Sequence, residues 1–310
     1  MIEIRGLTKR YGPLTAVDNL WLTVERGDAM GFIGPNGAGK TTTIRMLATL
    51  LKPDAGTASV SGHDIGREPD EVRGKLGYMP DFFGVYEDMM VWEYLDFFAA
   101  AHRVPRKRRP GLISDVLELT DLGHRRDDSV NSLSRGMKQR LCLAKTLVHD
   151  PDVLLLDEPA SGLDPRARME VRELLRELCK LEKTLLISSH ILPELAGLCN
   201  KIAIIENGRL VTAGSVDEIQ SQLQGGTKLI IRVMDGSAEC CAHLATLPAI
   251  TQVGETDGRI EAIYQGAAGE EWQVLADLVN SGFHVRGFAE EEIDLEGIYV
   301  RATRGLGSDG

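Results

Sequence analysis

What the 310 residues lack already excludes several classes of protein. No apolar run approaches the roughly 20 residues that a membrane-crossing helix needs, and the opening Met1-Ile-Glu-Ile-Arg alternates like a strand instead of forming a basic, apolar leader. The expected location is therefore cytosolic. Cysteine is scarce: Cys142, Cys179, Cys199, Cys240 and Cys241 are odd in number and show no C-x-x-C spacing, so neither a disulfide framework nor a zinc site is supported. They read as small core residues. A basic surplus is absent as well. Formal net charge is −11, and residues 228–310 hold 6 Lys and Arg against 14 Asp and Glu, so nucleic acid is not an expected partner. With 43% apolar and 26% charged residues the composition is that of an ordinary globular protein, long enough for one large domain and a small one.

What is present centres on residues 34–42. Gly34, Pro35, Asn36, Gly37, Ala38, Gly39, Lys40, Thr41 and Thr42 form a G-x-x-x-x-G-K-T loop between an apolar run at 29–33 and a helical pattern at 41–51. The glycines free the backbone to wrap an anion with inward N–H groups, and the helix beginning at Gly39 and Lys40 adds its positive end. Lys40 is placed to reach β- and γ-phosphates, and the Thr41 hydroxyl to ligate Mg²⁺.

The flanking chain supplies further candidates. Residues 2–26 alternate around Tyr11-Gly12-Pro13 as antiparallel strands, and 57–65 read as a hairpin turning at Ser61-Gly62. Tyr11 beside its turn can stack on a base or simply cover a sheet face. Aromatics number only 16, yet eight of them (Tyr78, Phe82, Phe83, Tyr86, Trp92, Tyr94, Phe97, Phe98) fall within residues 78–98. That is more than one helix face can bury, so part of the stretch is expected to meet a partner while helical spacing assigns about half to a local core. The basic run 103–109 reads as a solvated loop, with anionic lipid contact as the alternative.

At 133–140, Leu-Ser-Arg-Gly-Met-Lys-Gln-Arg opens a helix with Ser134 as N-cap and Met137, Leu141, Ala144 and Val148 on one face. Arg135, Gly136 and Lys138 stand where a first turn normally has acids, which makes either a second anion site or an ordinary amphipathic helix with a basic start. Residues 153–159 are an apolar strand ending in Asp157 and Glu158, the pattern of a parallel strand buried on both faces with ligands at its carboxyl end. Asp157 then suits Mg²⁺ and Glu158 suits polarising a water, unless both are ion-pair partners. Asp164-Pro165 starts a helix to about Lys183, and 184–190 is a second buried strand ending in His190, a lone histidine whose position favours the site over a structural role. Asn200-Lys201 does not complete the guanine-reading N-K-x-D pattern. Past the hinge at Gly225-Gly226, strands near 229–234, 259–265 and 283–288 interleave with helices near 237–246, 270–281 and 290–301 as a small α+β domain.

Together, residues 34–42, 133–140, 153–159, 161–164 and His190 resemble, in order and spacing, the ATP-binding subunit of ABC transporters over about residues 1–224. The family's L-S-G-G-Q run is here Leu133-Ser-Arg-Gly-Met, matched at Ser134 and Gly136 and departing at Arg135 and Met137. The resemblance implies an α/β, P-loop nucleotide-binding domain at 1–224, with an antiparallel β subdomain and a helical subdomain at about 85–150, followed by an accessory α+β domain at 225–304 and a tail at 305–310. It implies ATP and Mg²⁺ as ligands, Tyr11 as the adenine-stacking aromatic, His190 as a switch histidine, and Ser134, Arg135 and Gly136 contacting ATP held by a second copy or a paralogue. Asp81, after Gly77-Tyr-Met-Pro, stands where the family has a magnesium-coordinating glutamine. The acidic C-terminal stretch is similar to the extra domain of exporting members. The implied function is ATP hydrolysis powering export through a separate transmembrane permease, from the inner face of the cell membrane; the alternative is a soluble or regulatory ABC-type ATPase.

Overall fold

The computed structural model describes residues 1–291 except 83, 87, 191–194, 196, 216–217, 220–226, 257 and 268. The chain divides into two compact units, Met1–Ser215 and Val216–Gly310. The expected hinge at Gly225-Gly226 lies outside the described residues.

In the first unit, β1 (Ile2–Tyr11) and β2 (Leu14–Val24) pair antiparallel, and β4 (Ala55–Val60) and β5 (His63–Asp64) complete a four-stranded sheet in the order β2-β1-β4-β5. The second sheet has six strands in the order β10-β9-β3-β8-β7-β6, formed by β3 (Ala29–Ile33), β6 (Leu76–Met79), β7 (Val153–Asp157), β8 (Thr184–Ser189), β9 (Lys201–Glu206) and β10 (Arg209–Ser215). All its pairings are parallel except that of β10, an antiparallel edge. Every residue of β3, β7 and β8 is buried, as expected of strands covered on both faces. The β9–β10 hairpin was not legible beforehand.

Helix α1 (Lys40–Leu47) buries Ile44, Met46 and Leu47 in a core shared with Ile4, Leu7 and Leu20 of the antiparallel sheet and Leu155 and Leu186 of the parallel one. It ends short of the expected Leu51 because Thr49 adopts φ +59°, which no helix continues through. α2 (Pro69–Lys75) leads into β6. α3 (Val91–Ala101), α4 (Arg109–Leu119) and α5 (Arg135–Leu147) pack on one another. α6 (Pro165–Lys180) begins where the Asp164 carboxylate accepts the N–H groups of Arg166 and Ala167, both at 3.1 Å, and buries Val171, Leu174, Leu175 and Leu178 on one stripe. It stops before Glu182, whose φ is +55°.

The second unit runs β11 (Thr227–Val233), α7 (Ser237–Leu244), β12 (Ile250–Thr256), β13 (Arg259–Tyr264), α8 (Trp272–Asn280) and β14 (Val285–Glu291). Its antiparallel order β12-β13-β11-β14 is the split βαβ arrangement. Alternate residues Leu229, Ile231, Ile260, Ala262 and Tyr264 pack on Cys240, Leu244, Val274 and Leu278 of the two helices. β12 escaped the sequence reading because it is an exposed edge carrying Gly254. The helix expected near 290–301 falls outside the described residues beyond Glu291.

Candidate functional site

The site gathers at the carboxyl ends of β3, β7 and β8. Between β3 and α1, residues 34–39 run so close to neighbouring backbone that two positions admit no side chain. A Cβ on Gly34 would stand 2.3 Å from the Ile205 carbonyl oxygen, and Gly39, at φ +104°, would place one 2.5 Å from that of Ala16. The loop is thus wedged between β2 and β9, with Pro35, Asn36 and Gly37 exposed at its crest and Ala38, Gly39 and Lys40 buried. The Lys40 ammonium folds back over it, donating to the carbonyl oxygens of Gly34 at 2.7 Å and Pro35 at 3.2 Å, and lies 3.4 Å from Glu158 Oε1. These are acceptors whose place a phosphate oxygen can take.

Asp157 is completely buried. Its Oδ1 accepts from the hydroxyls of Ser188 at 2.6 Å and Thr41 at 3.2 Å, while Oδ2 has no hydrogen-bond partner. Burial pushes its carboxyl above the usual carboxylate range; the two hydroxyls oppose that shift, and the charges of Asp81 and Glu158 add to it. Ser188 was missed in the sequence. It accepts the Glu158 N–H at 2.9 Å while donating to Asp157, so it orders both acids. The signal was a hydroxyl inside an otherwise apolar strand; only the register, which pairs Asp157 with Ser188, made it useful.

Glu158 adopts φ +50°. Its carboxylate bridges Lys40 at Oε1 and His190 Nδ1 at Oε2, the latter 2.8 Å away. An ionised carboxylate only accepts, so the His190 proton on this contact sits on Nδ1. Asp81 is exposed, 3.7 Å from Arg45, and close enough to raise the Asp157 carboxyl. Arg45, beside Tyr78 and Asp81, is a second residue that sequence reasoning passed over.

Of the sequence-derived candidates, the loop, Thr41, Asp81, Asp157, Glu158 and His190 are therefore brought into one neighbourhood. Tyr11 sits at the β1–β2 turn, half exposed, with the Lys9 ammonium 5.8 Å from its ring centre. Ser134 caps α5 by accepting the Met137 N–H at 3.3 Å, while Arg135 and Gly136 contact residues 162 and 167 rather than the phosphate loop. The aromatic stretch divides. Tyr94 is fully buried and packs edge-on against Phe98 with centroids 4.9 Å apart, whereas Phe82 is 84% exposed and Tyr86 and Phe97 about half exposed. Phe83 lies outside the described residues.

The family model described as ABC transporter matches residues 17–161. The chain is 42% identical over 223 residues to the Nod factor export ATP-binding protein I of Ralstonia nicotianae, covering 71% of this chain and 68% of that protein. It is 36% identical over 309 residues to the daunorubicin/doxorubicin resistance ATP-binding protein DrrA of Streptomyces peucetius, covering 97% and 92%. Among solved structures, the ATP-binding subunit of an ABC transporter superposes with a TM-score of 0.65 at 29% identity, over 72% of this chain and 92% of that one.

Proposed function

The chain belongs to the ABC transporter family as an ATP-binding, ATP-hydrolysing subunit, and from that premise we propose that it works as a dimer powering export through a separate membrane subunit. The observation that carries the catalytic part is the single network in which Lys40, Glu158 and His190 meet beside Asp157, Thr41 and Ser188.

In this reading the N–H groups of residues 34–41 and the positive end of α1 hold the β- and γ-phosphates, and Lys40 exchanges Glu158 and the loop carbonyls for phosphate oxygens. Tyr11 stacks on the adenine. The donors around Asp157 suit Mg²⁺: all are oxygens, Asp157 Oδ2 is buried and unpartnered, and Asp81, Asp157 and Glu158 outnumber the nearby cations Lys40 and Arg45. Thr41, Asp157 and Asp81 would hold the ion, which when bound draws charge from the phosphate oxygens. Glu158, released by Lys40 and kept in place by His190, accepts the proton of the water that attacks the γ-phosphorus, and ADP leaves with the bond electrons. The first turn of α5, with Ser134, Arg135 and Gly136, contacts the γ-phosphate held by the other copy.

Export is supported by the relatives' roles, named as Nod factor export and daunorubicin resistance. Among the described residues no helix is long and apolar enough to cross a membrane, so a separate permease is the expected partner, reached from the inner membrane face. Its docking surface is the exposed part of the aromatic stretch beside Asp81. The test is ATP turnover and vesicle co-sedimentation with and without the co-expressed permease. Stimulated turnover together with Phe82→Ala losing sedimentation but not ATP binding is the expected result. Turnover and sedimentation indifferent to the permease would instead establish an uncoupled, regulatory ATPase.

A further inference from the structure

The helix that carries Ser134 is fastened to the segment that leaves Glu158. Gln139, on α5 and only 3% exposed, donates its side-chain Nε2–H to the carbonyl oxygen of Pro159, the residue after Glu158. One turn earlier the Arg135 guanidinium lies across Gly162, where a Cβ would come within 2.1 Å of Nη2. Gly136 lets α5 approach α6, since a Cβ there would stand 3.0 Å from that of Ala167, and Arg140 Nη2 is 3.7 Å from Glu170 Oε2. Of these links, the Gln139 bond is the one that acts on the backbone adjoining Glu158.

That backbone needs holding. A φ of +50° is a region that L residues rarely adopt, and it persists only where neighbours over-determine it. Ser188 Oγ holds the N–H of Glu158 at 2.9 Å, the Ser161 N–H holds its carbonyl oxygen at 3.0 Å, and Gln139 holds the carbonyl of the residue that follows. The amide is not explained by packing. Its Oε1 is buried with no hydrogen-bond partner, a desolvation cost that Met or Leu of similar volume would not carry. What the amide uniquely offers is the donor.

We infer that Gln139 is a positioning residue for Glu158, so that the placement of α5 sets the aim of the carboxylate in the same chain. This rests on the reading in which Glu158 is the base and Ser134 faces the other copy's nucleotide. Its consequence is a link between the two sites of a dimer: the ATP that engages Ser134 of one copy acts, through α5 and Gln139, on the base serving that copy's own ATP. The chain of contacts is short, because Ser134 N-caps α5 and Gln139 lies in its second turn.

The test is Gln139→Met in the full chain, assayed for thermal stability, nucleotide binding, dimerisation and turnover. Stability should change little, because losing the orphaned Oε1 is offset by losing the donor to the buried Pro159 carbonyl, and KM for ATP should stay within about twofold. The kcat should fall about tenfold, the scale of one hydrogen bond. In a Glu158→Gln background the same change should leave both the ATP-driven dimer and the residual turnover unaltered, since its effect passes through the carboxylate. Wild-type kcat, a raised KM, a lost dimer, or losses that multiply in the double variant would each overturn the inference. If Gln139→Met fails to fold, Gln139→Glu keeps the shape but replaces the donor by an acceptor; its kcat should be low at neutral pH and recover towards that of the wild type as acidification restores an O–H donor, and a pH profile parallel to the wild type counts against the proposal. Failure of the underlying reading looks different: it shows as normal turnover in Glu158→Gln alone.

Discussion

Glu158→Gln tests the site most directly, because the proposed mechanism gives the carboxylate two jobs that the amide separates. In the wild type, Lys40 lies 3.4 Å from Oε1 with both side chains largely buried, an attraction of about 5 kcal/mol at an effective dielectric of 20 before desolvation is subtracted. In the proposed mechanism, nucleotide has to take Lys40 from that partner. Glutamine keeps the size of the side chain and can still accept from His190 through its carbonyl oxygen, but it removes the charge that competes for Lys40. ATP affinity is therefore expected to hold or tighten by about two- to tenfold, a modest share of the gross attraction because water and phosphate also compete. Hydrolysis moves the other way. Loss of a general base costs about 10²- to 10⁴-fold, or about 2.7 to 5.4 kcal/mol in the barrier. The assays are phosphate release under saturating ATP and Mg²⁺, titration with a fluorescent nucleotide, and size-exclusion chromatography, where the variant should run as an ATP-dependent dimer. Turnover within a few-fold of wild type would refute the reasoning and move the base to His190 or Asp81. Weakened ATP binding would refute the competition between Glu158 and phosphate for Lys40.

Asp157→Asn should lose Mg²⁺-dependent ATP affinity, yet melt at a temperature no lower than the wild type, because it removes a completely buried charge whose carboxyl already sits above its usual range; calorimetry with and without Mg²⁺ reads both. Ser134→Arg should abolish hydrolysis while sparing nucleotide binding, and mixing it with Lys40→Ala should restore one composite site per dimer; mixed dimers that form but stay inactive would count against shared sites unless both sites must fire. The helical region should be acid-sensitive. His149 stacks on His102 with ring centres 3.7 Å apart, gives its Nε2–H to the Leu76 carbonyl oxygen at 3.0 Å and leaves Nδ1 buried without a partner, and burial pushes its pKa down to about 4. A folded-state value below the ordinary 6.5 means that the unfolded chain binds the extra proton first, so this stability is whole above pH 6.5 and drains as pH falls towards 4, by up to about 2–3 kcal/mol. Denaturant melts at pH 7.5 and 5 should lose that increment in the wild type and much less of it in His149→Gln.

How much was legible beforehand depended on whether the chemistry was local. The 34–42 loop, the apolar strand into Asp157 and Glu158, the Ser134 and Asp164 caps and the strand into His190 are each set by residues within a few positions of one another. Phosphate cradling, capping and two-sided burial need those residue types at those spacings, so the sequence by itself determined the nucleotide-handling class of the first unit. It also determined that the later part of the chain alternates strand and helix. What tertiary structure alone decided are relations between residues far apart in the chain. Parallel register brings Ser188 across from Asp157, and the turn of Lys40 over its loop brings it to Glu158. The short passage between α5 and residues 158–167 gives Gln139 and Arg135 their partners. Edge strands such as β10 and β12 lacked a two-sided apolar pattern, so they became visible only once a neighbour supplied their hydrogen bonds. The split βαβ order of the second unit is of the same kind, because the pairing of β11 between β13 and β14 is a choice among surfaces that alternation cannot make.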